Sequence, residues 1–115
     1  MISVINAKEN FPSADCAVFN VEREIELSEK LGVNAIIVIH GYGSHGKGGA
    51  IKKELHLALT KLRHNGVIIN FFKGEQWGES NLEIKELKLQ EPELILHPLL
   101  NNLNSGVTVV WIRKK

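Results

Sequence analysis

The stretch Ala35-Ile36-Ile37-Val38-Ile39 is apolar at every position and mostly β-branched. A strand with one wet face alternates apolar and polar residues. A strand without that alternation is covered on both faces, as in the parallel part of an α/β sheet. Asn34 to His40 is therefore read as an interior strand, and the rest of the chain has to supply layers around it. The run ends in His40-Gly41-Tyr42-Gly43-Ser44-His45-Gly46-Lys47-Gly48-Gly49, five of whose ten residues are glycine.

Flanking patterns supply the other elements. Ile2-Ser3-Val4-Ile5 reads as a short strand. Ser13 follows Pro12 as an N-cap whose hydroxyl accepts from an unpaired backbone N–H. Ala14, Ala17, Val18, Val21, Ile25 and Ser28 then recur at three- and four-residue steps, predicting a helix that Gly32 closes. After the glycine loop, Ile51, Leu55, Ala58 and Leu62 define a second amphipathic helix, ended by Asn65-Gly66. Val67–Phe72 and Val107–Ile112 read as strands. The order β-α-β-α-β-β predicts a two-layer α/β sandwich: a four-stranded mixed sheet, two helices on one face, and an irregular insertion at 75–105 before the last strand. Successive βαβ units predict neighbouring parallel strands. In the insertion, ten of the 22 residues from Leu82 to Leu103 are Leu or Ile. So apolar a segment packs on the domain or forms a partner surface.

The 115 residues suit one domain. No apolar run approaches the roughly 20 residues that cross a bilayer. The N-terminus lacks the layout of a signal peptide. The single cysteine, Cys16, cannot form an internal bridge, and Ala14, Ala17 and Val18 around it suggest a buried structural thiol. These features fit a soluble, cytoplasmic chain. The net charge of +1 argues against a general polyanion binder, but the charge is unevenly spread. Lys47, Lys52, Lys53, Lys61 and Arg63 face only Glu54 between residues 40 and 64, and Arg113-Lys114-Lys115 ends the chain. Such a local patch attracts phosphates.

The glycine loop comes close to two phosphate-binding patterns. Gly41-Tyr42-Gly43-Ser44-His45-Gly46 fits G-x-G-x-x-G between a strand and a helix, but the acidic ribose-binding residue expected about 20 residues later is replaced by Lys61-Leu62-Arg63-His64. Gly41 to Gly48 nearly completes a P-loop, but Gly48 stands where the magnesium-binding hydroxyl belongs. What survives is general: consecutive glycines and the first turn of a helix aim backbone N–H groups at an anion, with Lys47, Lys52 and Lys53 around it. His40, at the C-terminal end of an interior strand, and His45 are candidate proton carriers beside a bound phosphodiester. Tyr42 is a candidate stacking surface or a lid. His56, His64 and His97 read as surface or capping residues. No set of residues has metal-ligand spacing.

These residues carry a resemblance. Ile37-Val38-Ile39-His40-Gly41-Tyr42-Gly43 resembles the strand and H-G-x-G loop of Smr (small MutS-related) domains, and Ser105-Gly106-Val107-Thr108-Val109-Val110-Trp111-Ile112 resembles the family's closing G-x-G-A-T-x-V-x-L strand. The similarity covers residues 1–74 and 104–113, as in a stand-alone member. It implies a β-α-β-α-β-β fold like the C-terminal domain of bacterial translation initiation factor three, DNA or RNA as partner, and in several members nicking or RNA cleavage. Its matching residues are His40, Gly41 and Gly43. Where the family opens with L-D-L-H-G, this chain has Ile2-Ser3-Val4-Ile5-Asn6, without the carboxylate and imidazole implicated in cleavage.

The resulting expectation is a nucleic-acid-binding Smr-like domain. Gly41, Tyr42, Gly43, Gly46, Lys47, Gly48, Lys52 and Lys53 hold the phosphate, and His40 and His45 are the catalytic candidates if it cleaves. A divalent metal would enter only with nuclease activity. The alternatives are a non-enzymatic interaction module or homodimer using residues 82–103, and a small phosphate or nucleotide binder.

Overall fold

The computed structural model describes residues 1–10, 12–41 and 47–114. Four strands form one mixed sheet in the order β1-β2-β4-β3: β1 (Ile2–Asn6), β2 (Ala35–Ile39), β3 (Asn70–Lys73) and β4 (Val107–Trp111). β1 and β2 are parallel, and β4 runs antiparallel to both β2 and β3. The expected second pair of neighbouring parallel strands is thus absent, because the last strand enters between β2 and β3. All five β4 residues are buried, as the most apolar strands should be at the sheet centre.

Helices α1 (Ala14–Leu31) and α2 (Lys47–His64) cover one face. The α1 boundaries follow local chemistry. Ser13 Oγ accepts from Cys16 N at 3.2 Å, and Gly32 adopts φ 76° while its N–H closes onto Ser28 O. The buried stripe Ala17, Val21, Ile25 of α1 meets Ile51, Leu55, Leu59 of α2 over Ile36, Val38 and Val110. Cys16 lies off this stripe and is exposed, which corrects the expectation of a buried thiol. β3 begins at Asn70 rather than Val67, because Val67 N bonds Leu62 O and is used in closing α2.

The segment between β3 and β4 forms a cover on the opposite face. It contains α3 (Leu82–Gln90) and three short 3-10 turns at Gly74–Gln76, Pro92–Leu94 and Pro98–Leu103. Trp77, Ile84, Leu87, Leu94 and Leu100 pack on Ala35, Ile37, Phe72, Val109 and Trp111. This answers why β2 does not alternate: Ile36 and Val38 enter the helix-side core, while Ala35 and Ile37 enter the insert-side core. No helix among the described residues is long and apolar enough to cross a membrane.

Candidate functional site

The expected site lies where β2 ends. His40 N and Gly41 N both donate to Gly106 O, at 2.9 and 3.0 Å, so the chain leaves the sheet pinned to the residue just before β4. Gly41 has φ 80°, a conformation that favours glycine, and a Cβ there would lie 3.2 Å from Lys8 Cδ. Tyr42, Gly43, His45 and Gly46 lie outside the described residues. Lys47 and Gly48 open α2, whose first turn carries no acidic residue.

His40 does not meet solvent. It is fully buried, with Nδ1 3.0 Å from Gly41 O and Nε2 2.9 Å from Thr108 Oγ1. Thr108 Oγ1 is also 2.8 Å from His56 Nε2. The donor directions follow from chemistry. The Gly41 carbonyl can only accept, so His40 Nδ1 carries the proton and donates. Neutral His40 then accepts at Nε2 from the Thr108 hydroxyl, and Thr108 Oγ1 accepts from His56 Nε2–H. The two rings meet edge to face at 5.9 Å between centroids, and His56 rests against Phe71 at 5.4 Å.

The surroundings favour neutral rings. Burial holds the His40 imidazole below its usual range, with the Gly41 bond opposing and the Lys52 charge adding to the lowering. Burial, then the charges of His40, Lys52 and Lys73, hold His56 down to about 4, against the opposing charge of Glu75. The expectation that His40 touches a phosphate is therefore corrected. An imidazole packed from both sides, with both nitrogens bonded to protein, fixes the start of the loop. His56, read from sequence as a surface or capping residue, completes the same network. Its place one residue after Leu55, on the buried margin of the α2 stripe, was the available signal.

Lys52 also differs from its expected role. Its ammonium lies 2.8 and 3.1 Å from the two Glu75 carboxylate oxygens and 3.0 Å from Ser105 O, so it ties α2 to the turns after β3 and before β4. Burial tends to raise the Glu75 carboxyl. The Lys52 hydrogen bond and the charges of Lys52 and Lys73 outweigh it and hold the group below the ordinary carboxylate range. Lys53 is exposed. Lys8, which the sequence reading did not single out, lies along Gly41 with Nζ 4.0 Å from the position a Cβ would take. The parallel register pairing Asn6 with Ile39 brings it there, and only strand order could have revealed it.

Among the described residues, no group of three or more His, Cys, Asp or Glu is placed to hold a metal ion. Outside this region, His97 Nδ1 caps the Pro98 turn by accepting from Leu99 N at 3.2 Å.

The fold and this site define a small mixed α/β domain in which Gly41, with Lys8 along it, leaves β2 beside a His40–Thr108–His56 hydrogen-bond network. Comparison of the chain with protein-family models, with curated proteins and with solved structures returned no match.

Proposed function

We propose that the chain is a nucleic-acid-binding domain of Smr-like type, and that it meets the phosphate backbone with the turn between β2 and α2. One observation carries this reading: the Lys8 side chain crosses Gly41 at the end of the sheet from which α2 departs. Gly41 leads into a glycine-rich sequence, Lys53 is exposed in the second turn of α2, and the first turn of that helix has no carboxylate. By contrast α1 and α3 begin with Asp15 and Glu83 in their first turns. Positive side chains and helix-start amides around one turn favour phosphate oxygens, and such contacts recognise a backbone without reading sequence.

Binding, rather than cleavage, is the activity that this surface supports, because His40 is occupied by Gly41 and Thr108. The test is fluorescence anisotropy with single-stranded, duplex and branched DNA and with RNA across a salt series. Lys8→Ala and Lys53→Ala should each weaken binding to all sequences alike and reduce the salt slope by about 0.7–0.9. Lys85→Ala, on the insert side, should leave both unchanged. Binding that ignores salt, or ignores Lys8 and Lys53, would sink the proposal.

A second reading, a protein-interaction module, draws on the insert. Leu82, Leu89 and Leu96 are each more than 80% exposed, an uneven finish for a segment in which Leu87, Leu94 and Leu100 are core.

A further inference from the structure

The two edges of the sheet are finished differently. At the β3 edge, the amides facing away from β4 are already taken: Phe71 N donates to Asn70 Oδ1 at 2.8 Å and Lys73 N to Gln76 Oε1 at 3.3 Å. At the β1 edge the central amides have no such caps among the described residues. Ala7 N donates to Ile39 O and Met1 O accepts from Asn34 N, so the odd-numbered residues of this segment face β2. By alternation, Ile2, Val4 and Asn6 turn their N–H and C=O groups outward, and of these the Asn6 carbonyl already meets Glu9 N at 3.4 Å. The strand has no proline, lysine or bulge of the kind that protects an edge, and Val4 at its centre is 45% exposed.

The helix beside this edge matches it. A shallow groove between β1 and α1 is lined by Ile5, Asn20, Glu24, Leu27 and Lys30, among others, and Leu27 is 48% exposed. Two strand residues rise as far as four to five helix residues, at about 3.3 and 1.5 Å per residue. Counting back from the turn joining α1 to β2 therefore brings Leu27 abreast of Val4. A two-fold axis through Val4, normal to the sheet, therefore runs at the level of Leu27. About that axis an antiparallel α1 contact sets Glu24 level with Lys30 of the second copy, and Lys30 level with its Glu24. Neither residue has an ion-pair partner within the chain among the described residues. At Glu24 and Lys30 the stripe is thus complementary to itself, with Leu27 between them, as a two-fold contact requires.

We infer that β1 pairs antiparallel with β1 of a second copy of this chain, joining two four-stranded sheets into one continuous sheet with α1 packed on α1. Val4 exchanges both backbone hydrogen bonds with Val4 of the other copy, Ile2 pairs with Asn6, and Leu27 meets Leu27 over the seam. This pairing leaves the two Gly41 residues at opposite ends of the joined sheet.

Sedimentation equilibrium on the full chain tests this. The wild type should be a concentration-dependent dimer. Val4→Pro removes the outward N–H at an edge where proline is otherwise tolerated, and should weaken the dimer at least a hundredfold. Glu24→Lys sets like charges together twice and should weaken it about tenfold. Glu24→Lys combined with Lys30→Glu should restore it. A thermal melt of each variant confirms that the protomer is folded, and the exposed helix substitutions keep the test valid if Val4→Pro unfolds. A chain that stays monomeric at its highest soluble concentration overturns the inference. So does a dimer indifferent to Glu24→Lys, or one lost only on Leu89→Glu or Leu96→Glu.

Discussion

The layers on the two faces of the sheet bury similar side chains by different means. On the helix side, two 18-residue helices present regular stripes, and the ends of α1 are fixed by Ser13 and Gly32. On the insert side, nine residues of α3 and three short turns do the same work with Trp77, Ile84, Leu87, Leu94 and Leu100. The helix side also seats its buried polar groups: His40, Thr108 and His56 satisfy one another. On the insert side, the indole N–H groups of Trp77 and Trp111 are buried without a hydrogen-bond partner among the described residues. A regular layer is stabilised along its own sequence as well as by packing. An irregular one holds its shape only while the sheet is beneath it.

Stability measurements can break that comparison. The largest effect is expected from core truncation. Leu59 and Leu87 are both fully buried, one on each side, so Leu59→Ala and Leu87→Ala should each cost about 2–5 kcal/mol. Because the sheet is shared, both variants should unfold in one transition, with near-ultraviolet signals from Trp77 and Trp111 coinciding with the helical signal in urea. A separate early transition in Leu87→Ala would make the insert an appendage instead of a layer.

The polar network sharpens the contrast at a middle scale. Thr108→Val leaves His40 Nε2 and His56 Nε2 without their shared hydroxyl and should cost about 1–3 kcal/mol. The pH dependence has a definite sign. The folded value for His56 is about 4 against an ordinary 6.5, and His40 is lowered as well. The fold therefore prefers the neutral rings. Their contribution is complete above about pH 6.5 and is lost progressively as the pH falls through 6.5 toward 4. Urea midpoints measured between pH 7.5 and 4.5 should fall in the wild type. Ring-carbon NMR shifts should show both imidazoles neutral at pH 6. A ring that titrates normally would contradict the sealed network.

The smallest effects concern helix ends. Ser13→Ala removes the acceptor for Cys16 N, and Asn81→Ala removes the acceptor for Glu83 N and Ile84 N. Each should cost about 1 kcal/mol, read as a shift in the urea midpoint. Nearly equal losses would show that capping supports the short α3 as much as the long α1.

Much of the helix side was legible because its signals are local. The spacing from Ala17 to Ser28, the cap at Ser13 and the stop at Gly32 lie within α1 or next to it, and the observed boundaries follow them. The unbroken apolar run from Ala35 to Ile39 likewise announced a strand covered on both faces. The insert defeated that approach. Leu82 and Ile84 alternate like strand residues, yet both fall in α3, where Leu82 is exposed and Ile84 buried. A nine-residue helix and three turns give hydrophobic periodicity too little length to register.

For the site, sequence marked the glycine turn and its lysines but misassigned two groups. His40 looked available and is buried; Lys52 looked free and is held by Glu75 and Ser105. Lys8 went unnoticed, and His56, read as a surface or capping residue, joins the Thr108 network. By itself the sequence determined the strand that needs two covers and the helices that provide one of them. Tertiary structure alone decided which side chains meet at the end of that strand. β4 enters between β2 and β3, carrying Thr108 into contact with both histidines, and β1 lies beside β2, carrying Lys8 to Gly41. Both pairings join residues tens of positions apart, and local propensity holds no information about such distances.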